Sequence, residues 1–150
     1  MEQPEIEKLQ QERDEYLQGW QRAKADFANY KKEEVTRLEH VAKYSTEDFV
    51  REMIGVLDSF DLGISAMEKQ GAVEKGIYMI RTQIEDALKK RGLQRISWRA
   101  GDPYDPRVAE AVAEMPSDHP EGSMVEEIEP GYMLHEKVLR PIRVKIAKSK

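Results

Sequence analysis

The sequence predicts an α+β protein. A long N-terminal helix pairs with another helix as a coiled-coil-like rod. Two shorter helices supply half of a dimeric four-helix bundle, and a small β-sheet domain follows. Three observations carry this reading. Residues 6–44 contain no proline and one glycine, and their apolar side chains recur at steps of three and four. Residues 49–91 hold two more stretches of that period with wider apolar faces. Beyond Gly92 the period disappears, and six of the seven prolines fall among short β-type runs. The predicted parts are therefore 1–45 (rod), 46–91 (bundle helices) and 92–150 (β domain).

The rod seam runs through Ile6, Leu9, Tyr16, Trp20, Ala23, Phe27 and Tyr30, with Arg13 as its one break. Such spacing places these residues along one side of a helix whose remaining surface is charged. A helix over 6–44 reaches about 58 Å at 1.5 Å per residue. A compact domain of this size has a radius of gyration near ~15 Å and cannot cover that length. The seam is therefore expected to be covered by a second copy of the chain or by a partner helix. After Tyr30 a strict heptad fails, but steps of eleven restore order through Tyr16, Phe27, Leu38, Phe49 and Phe60. An eleven-residue repeat favours nearly straight or slightly right-handed pairing. Bulky Tyr16, Trp20 and Tyr30 stand where firm dimeric coiled coils carry Leu and Ile, so the pairing is expected to be of modest stability.

Ser45-Thr46-Glu47-Asp48 offers a hydroxyl followed three residues later by an acid, the pattern of a capping box, so the long helix either breaks here or runs through with a kink. A helix then runs along Phe49, Met53, Val56, Leu57, Phe60, Ile64 and Met67, a face broad enough for bundle packing. Gln70-Gly71 ends it. The next helix covers about 74–91 with the stripe Ile77, Ile80, Ile84, Ala87 and Leu88. Lys89, Lys90 and Arg91 suit the negative end of its dipole, and Gly92 its C′ position. Two helices are half of a four-helix bundle, and a dimer supplies the rest.

In the remaining segment, strands are expected over 93–98, 108–115, 124–128 and 142–146, the last by clean alternation, while the Ala and Glu content of 108–115 would also allow a helix. Pro130-Gly131 has the composition of a type II turn, with glycine at the positive-φ position. Some sixty residues lie near the lower limit of independent stability.

Composition narrows the function. A net charge of -5 and a pI near 5.4 argue against general nucleic-acid affinity. Charged residues make up 35% of the chain and the mean hydropathy is -0.74, a balance suited to exposed helices. Cysteine is absent, which removes disulfide and thiolate chemistry and fits a reducing compartment. No apolar run approaches the length of a membrane span, and the acidic start resembles neither a signal nor a transit peptide. A cytoplasmic protein that binds no membrane is the expectation. His40, His119 and His135 lack ligand spacing. Phosphate-binding glycine loops and nucleophile elbows are also missing, so no cofactor and no catalytic residue is expected. Asp102, Asp105 and Glu110 form an acidic cluster beside two prolines. An acid pair for hydrolysis is one reading, and Asp-Pro turn chemistry is the simpler one. The final fourteen residues are basic through Lys137, Arg140, Arg143, Lys145, Lys148 and Lys150. They read equally as an edge strand protected by charge or as a docking surface for an acidic partner.

Several stretches resemble the GrpE family, nucleotide exchange factors of the DnaK chaperone. The C-terminal pattern is carried by Tyr104-Asp105-Pro106, Ala111-Val112, Gly131-Tyr132, Glu136, Leu139-Arg140, Val144 and Ile146. It departs from the family at Tyr104, Ala109 and Ile142. The stretches 25–32, 56–60 and 90–93 are also similar, so the resemblance runs from about residue 5 to 148. It implies a parallel homodimer with paired long helices, a four-helix bundle and two β domains. One β domain would bind the nucleotide-binding domain of a DnaK-type chaperone and open its cleft, so that ADP leaves. The factor itself is no enzyme and holds no nucleotide. By position, the resemblance places the basic partner contact on Lys137 and an apolar one on Ile146. Met133, Arg140 and Arg143 are further candidates by proximity. It also implies that the long helices loosen on heating and lower exchange. The competing reading is a structural coiled-coil tether whose β domain grips some other protein.

Overall fold

The computed structural model describes residues 2–148, so Lys150 of the basic segment lies outside the described residues. The chain divides into two compact units, Met1–Ser45 and Thr46–Lys150.

The first unit is the helix α1, Gln3–Tyr44. Pro4 stands in its first turn, where a missing N–H costs nothing. Its 42 residues span about 63 Å. None of them is buried. The seam is bare: Tyr16 is 77% exposed, Trp20 and Phe27 59%, and Tyr30 57%. Ile6, Leu9, Ala23 and Leu38 are exposed as well. Local contacts do little to cover them. Lys24 lies over Trp20 and Lys31 over Phe27, each 5.0 Å from the ring centre. Arg13, the break in the seam, turns aside to Asp14 at 2.6 Å.

The second unit opens with α2, Glu47–Glu68, and α3, Lys75–Lys89. Ser45 and Thr46 separate α1 from α2, where the hydroxyl-acid pattern predicts a helix start. The capping box itself is not made, because Thr46 caps no backbone N–H with its side chain. The five evenly spaced residues thus divide three to two between α1 and α2.

Helix α2 carries two apolar faces where the sequence reading gave one. Val50, Ile54, Leu57 and Ile64 are buried within the unit, and Val50 and Ile54 were absent from the expected stripe. Phe49 is 60% exposed, Val56 and Met67 are exposed, and Phe60 is half-buried. On α3 only Leu88 of the stripe is buried, while Ile80 and Ala87 are exposed. An apolar cleft of about 270 Å³ lies between the two helices, lined by Phe49, Val50, Met53, Ile84, Ala87 and Leu88. The hairpin of helices is tied by Arg81, whose Nε donates to Asp61 at 2.7 Å and Nη1 to Glu85 at 2.6 Å. Tyr78 donates to Glu68 at 2.5 Å nearer its turn.

Six strands follow: β1 (Leu93–Arg95), β2 (Ala109–Pro116), β3 (Met124–Glu129), β4 (Tyr132–Leu134), β5 (Lys137–Arg140) and β6 (Ile142–Lys148). They form two three-stranded sheets, ordered β1-β4-β5 and β2-β6-β3. The first is antiparallel. In the second, β6 runs parallel to β2 and antiparallel to β3. Ala109, Met124, Ile142 and Val144 form a buried cluster, with Ile96, Trp98, Tyr104 and Ile146 packed on it.

Two expectations are corrected here, and one element was missed. The β4–β5 hairpin was not foreseen; its turn holds His135 at φ 52. The His135 ring lies against Gly92 (φ +94), whose place a Cβ would contest with Nδ1 at 2.7 Å. Gly131 is not a positive-φ residue. It is required for space, because a Cβ there would lie 2.6 Å from Ile142 N and 2.7 Å from Ile142 Cγ1. Finally, β6 is a central strand rather than an edge, so its cations are not edge protection. Arg143 faces Glu110 on β2 at 3.7 Å and Glu129 on β3 at 3.8 Å, and Lys145 meets Glu126 at 3.0 Å. These are cross-strand pairs that neutralise a basic strand between acidic neighbours.

Candidate functional site

Two of the sequence-predicted partner residues, Lys137 and Arg140, lie where β5 meets α2. Residues 47, 51, 54 and 58 follow steps of four, three and four, so they lie along one side of α2. Glu47, Arg51 and Asp58 border the buried stripe of Val50, Ile54 and Leu57, and each reaches β5. Lys137 Nζ donates to both carboxylate oxygens of Glu47, at 2.9 and 2.8 Å. Arg51 Nη1 donates to the Leu139 carbonyl at 2.6 Å, while its Nη2 and Nε reach Glu47 at 2.9 and 3.3 Å. The hydrogen bonds from Lys137 and Arg51 hold the Glu47 carboxyl below its ordinary pKa. A depressed carboxylate stabilises the fold above its unfolded pKa and loses that contribution as pH falls through the folded one.

At the other end of β5, Arg140 is held on several sides. Its two Nη atoms bind Asp58 side by side, with Nη2 to Oδ1 at 3.0 Å. Nε donates to the Pro130 carbonyl at 3.0 Å, and Glu129 lies 3.3 Å from Nη1. The guanidinium also stands 5.5 Å from the centre of the Tyr132 ring. Only 21% of its side chain is exposed. This is a structural clamp between β5 and α2.

Tyr132 is 1% exposed, and its hydroxyl finds no partner among the protein groups around it. Burial pushes that hydroxyl's pKa up. A buried polar group without a partner bears its desolvation uncompensated. Tyr132→Phe is therefore expected to leave stability unchanged or raise it by up to about 1 kcal/mol. Urea unfolding at fixed chain concentration checks this, and a loss beyond 1 kcal/mol would reveal a bond to that hydroxyl.

The five predicted partner residues are divided between the two sheets, although Arg140 and Arg143 both reach the Glu129 carboxylate, at 3.3 and 3.8 Å. Lys137 and Arg140 lie on β5, and Met133 is half-buried on the adjoining β4, paired with Val138. Arg143 and Ile146 belong to the other sheet, and Ile146 packs on its core. Sequence reasoning missed Glu47, Arg51 and Asp58. Their signal was the charged edge beside an apolar stripe on α2, at steps of four and seven.

Of the acidic cluster, Asp102 and Asp105 serve turns, while Glu110 lies on β2 facing Arg143. Asp102 accepts the Arg99 N–H at 2.7 Å, and Asp105 accepts the Arg107 N–H at 2.9 Å. Among the described residues, no group of three or more His, Asp or Glu side chains is placed to hold a metal. No helix among them is long and apolar enough to cross a membrane.

Comparison with known proteins covers helices and strands together. The GrpE family profile matches residues 1–148. The chain is similar to Protein GrpE of Oceanobacillus iheyensis, 33% identical over 99% of this chain and 79% of that one. It is 34% identical to Protein GrpE of Bacillus velezensis over 96% and 77% of the two chains. With Protein GrpE of Bdellovibrio bacteriovorus the identity is 30% over 96% and 86%. A match that spans the bare helix, the helical hairpin and both sheets leaves one assignment: the chain belongs to the GrpE family, the nucleotide exchange co-chaperones of DnaK.

Proposed function

We propose that this chain acts as a homodimer that binds the nucleotide-binding domain of a DnaK-type chaperone and accelerates ADP release. The family match over both helical and β parts carries the reading. The uncovered seam of α1, with no buried residue in 42, supports the dimer. So does the second apolar face of α2 beside a cleft of bundle residues. We assign the basic partner contact to Lys137, with Met133 beside it, and regard Arg140 as support for that strand. Arg143 and Ile146 would serve only a partner that also reaches the second sheet.

The mechanism needs no bond-making by this protein. A factor that binds the open, nucleotide-free partner more tightly than the closed one shifts it towards opening. By reciprocity, nucleotide that closes the cleft weakens the complex. A hydrogen bond to a charged group contributes about 1.5–3 kcal/mol, so loss of the Lys137 contact is expected to weaken the complex roughly tenfold or more. Stopped-flow release of a fluorescent ADP analogue from the cognate chaperone tests both statements. Wild-type protein is expected to accelerate release, and Lys137→Ala to need at least tenfold more protein for the same rate. No acceleration by saturating wild type, measured alongside solution mass, would overturn the proposal. The same assay run across temperature tests the proposed loosening of the rod, since softening of α1 should lower exchange before the 46–150 unit melts.

A further inference from the structure

Lys137 is not presented to a partner as an isolated cation. Both oxygens of Glu47 lie within 2.9 Å of its ammonium. The same carboxylate is met from the side by the Nε–Nη2 edge of Arg51. Glu47 is the first residue of α2, so the positive end of the helix dipole adds to its attraction. The acid is the enclosed member of the trio: its side chain is 18% exposed, against 51% for Lys137 and 45% for Arg51. A carboxylate thus sits between two outward-reaching cations, one of which offers the two-donor edge suited to carboxylates.

We propose that Glu47 is an internal placeholder for the acidic group of the partner, and that Arg51 is the second cation of that contact. This rests on the reading of Lys137 as the partner contact. An incoming carboxylate must share Lys137 and Arg51 with one already there, and two like charges at that distance repel. Binding therefore proceeds by exchange of one acid for another rather than by filling an unoccupied site. The consequence is kinetic. When the partner closes on nucleotide, Glu47 retakes both cations and shortens the life of the complex. An exchange factor has to leave, and this arrangement limits how tightly a basic contact grips.

Glu47→Gln tests the inference without changing shape. The amide keeps an oxygen for Arg51 but removes the competing charge. Binding to the cognate nucleotide-binding domain, followed by surface-immobilised kinetics, is expected to tighten about fivefold, mostly through slower dissociation. Its salt dependence should steepen, because the site gains a net positive charge. In a Lys137→Ala background the same change should have at most half that effect on a logarithmic scale. Adding Arg51→Gln to Glu47→Gln should return affinity towards wild type, with urea unfolding used to confirm that the Leu139 contact has not cost the fold. Equal or weaker binding by Glu47→Gln, while Lys137→Ala still weakens the complex, would overturn the placeholder and leave the Lys137 contact standing. Unchanged binding by Lys137→Ala would overturn both.

Discussion

Arg140→Met is expected to destabilise the 46–150 unit by about 2–3 kcal/mol. Removing one partner of a buried ion pair typically costs about 3–5 kcal/mol, because the other charge is left uncompensated. Here about a fifth of the arginine side chain reaches solvent, and screening reduces the figure. Asp58 would lose both of its Arg140 donors and the Pro130 carbonyl one. The cation over the Tyr132 ring would be lost as well, a contact of about 0.5–1 kcal/mol. Arg140→Lys should recover less than half of the loss, since an ammonium cannot make the two-pronged contact with Asp58. Asp58→Leu added to Arg140→Met should recover most of it, because an apolar pair replaces a stranded acid. Urea unfolding of the three variants at one chain concentration checks the order. A single variant within 0.5 kcal/mol of wild type would mean that Arg140 is not the clamp between β5 and α2.

The contrast between Arg140 and α1 shows what a sequence exposes and what it hides. The seam of α1 was legible because its signal is local, with one apolar residue every three or four and nothing else to consult. The same holds for the stop at Gly71 and the alternation of β6. The role of Arg140 as a clamp was hidden because its neutralising acid, Asp58, lies 82 residues away. Glu47 lies 90 residues from Lys137. No local period reports such pairings. Of the two readings of the basic segment, the edge-strand one fails for β6 for a related reason. Edge and centre of a sheet are decided by strand order, and the parallel partner β2 begins 33 residues earlier in the chain, at Ala109 against Ile142. The β4–β5 hairpin escaped because strands of three and four residues are too short to display alternation. Its turn also uses His135 at positive φ, where Gly or Asn would have announced it.

Gly131→Ala is expected to be the costliest single-methyl change in the β domain, at about 3 kcal/mol or more. Ordinarily, replacing glycine outside the positive-φ region stabilises a protein by about 0.4–1 kcal/mol, by restricting the unfolded chain. The sign reverses here because of what surrounds the site. The new Cβ would meet Ile142 N at 2.6 Å, Ile142 Cγ1 at 2.7 Å and Pro141 C at 2.9 Å. Two of those three atoms are backbone, which cannot turn aside as a side-chain tip does. Nor is that backbone at liberty to slide. Ile142 N donates to the Val108 carbonyl at 2.9 Å, and the Gly131 carbonyl accepts from Ile96 N at 2.9 Å. Relief of the clash must therefore break a hydrogen bond at the start of β6 or between the sheets' flanking segments, and overpacking of a tight site adds its usual strain of about 1–3 kcal/mol. A second variant separates this account from a turn that needs glycine for its conformation. Asn tolerates the left-handed region better than Ala, so a conformational requirement would make Gly131→Asn the milder change. A requirement for space makes it at least as harmful, because Asn brings the same Cβ and more behind it. Unfolding midpoints that rank Asn above Ala would return Gly131 to the role of a turn residue.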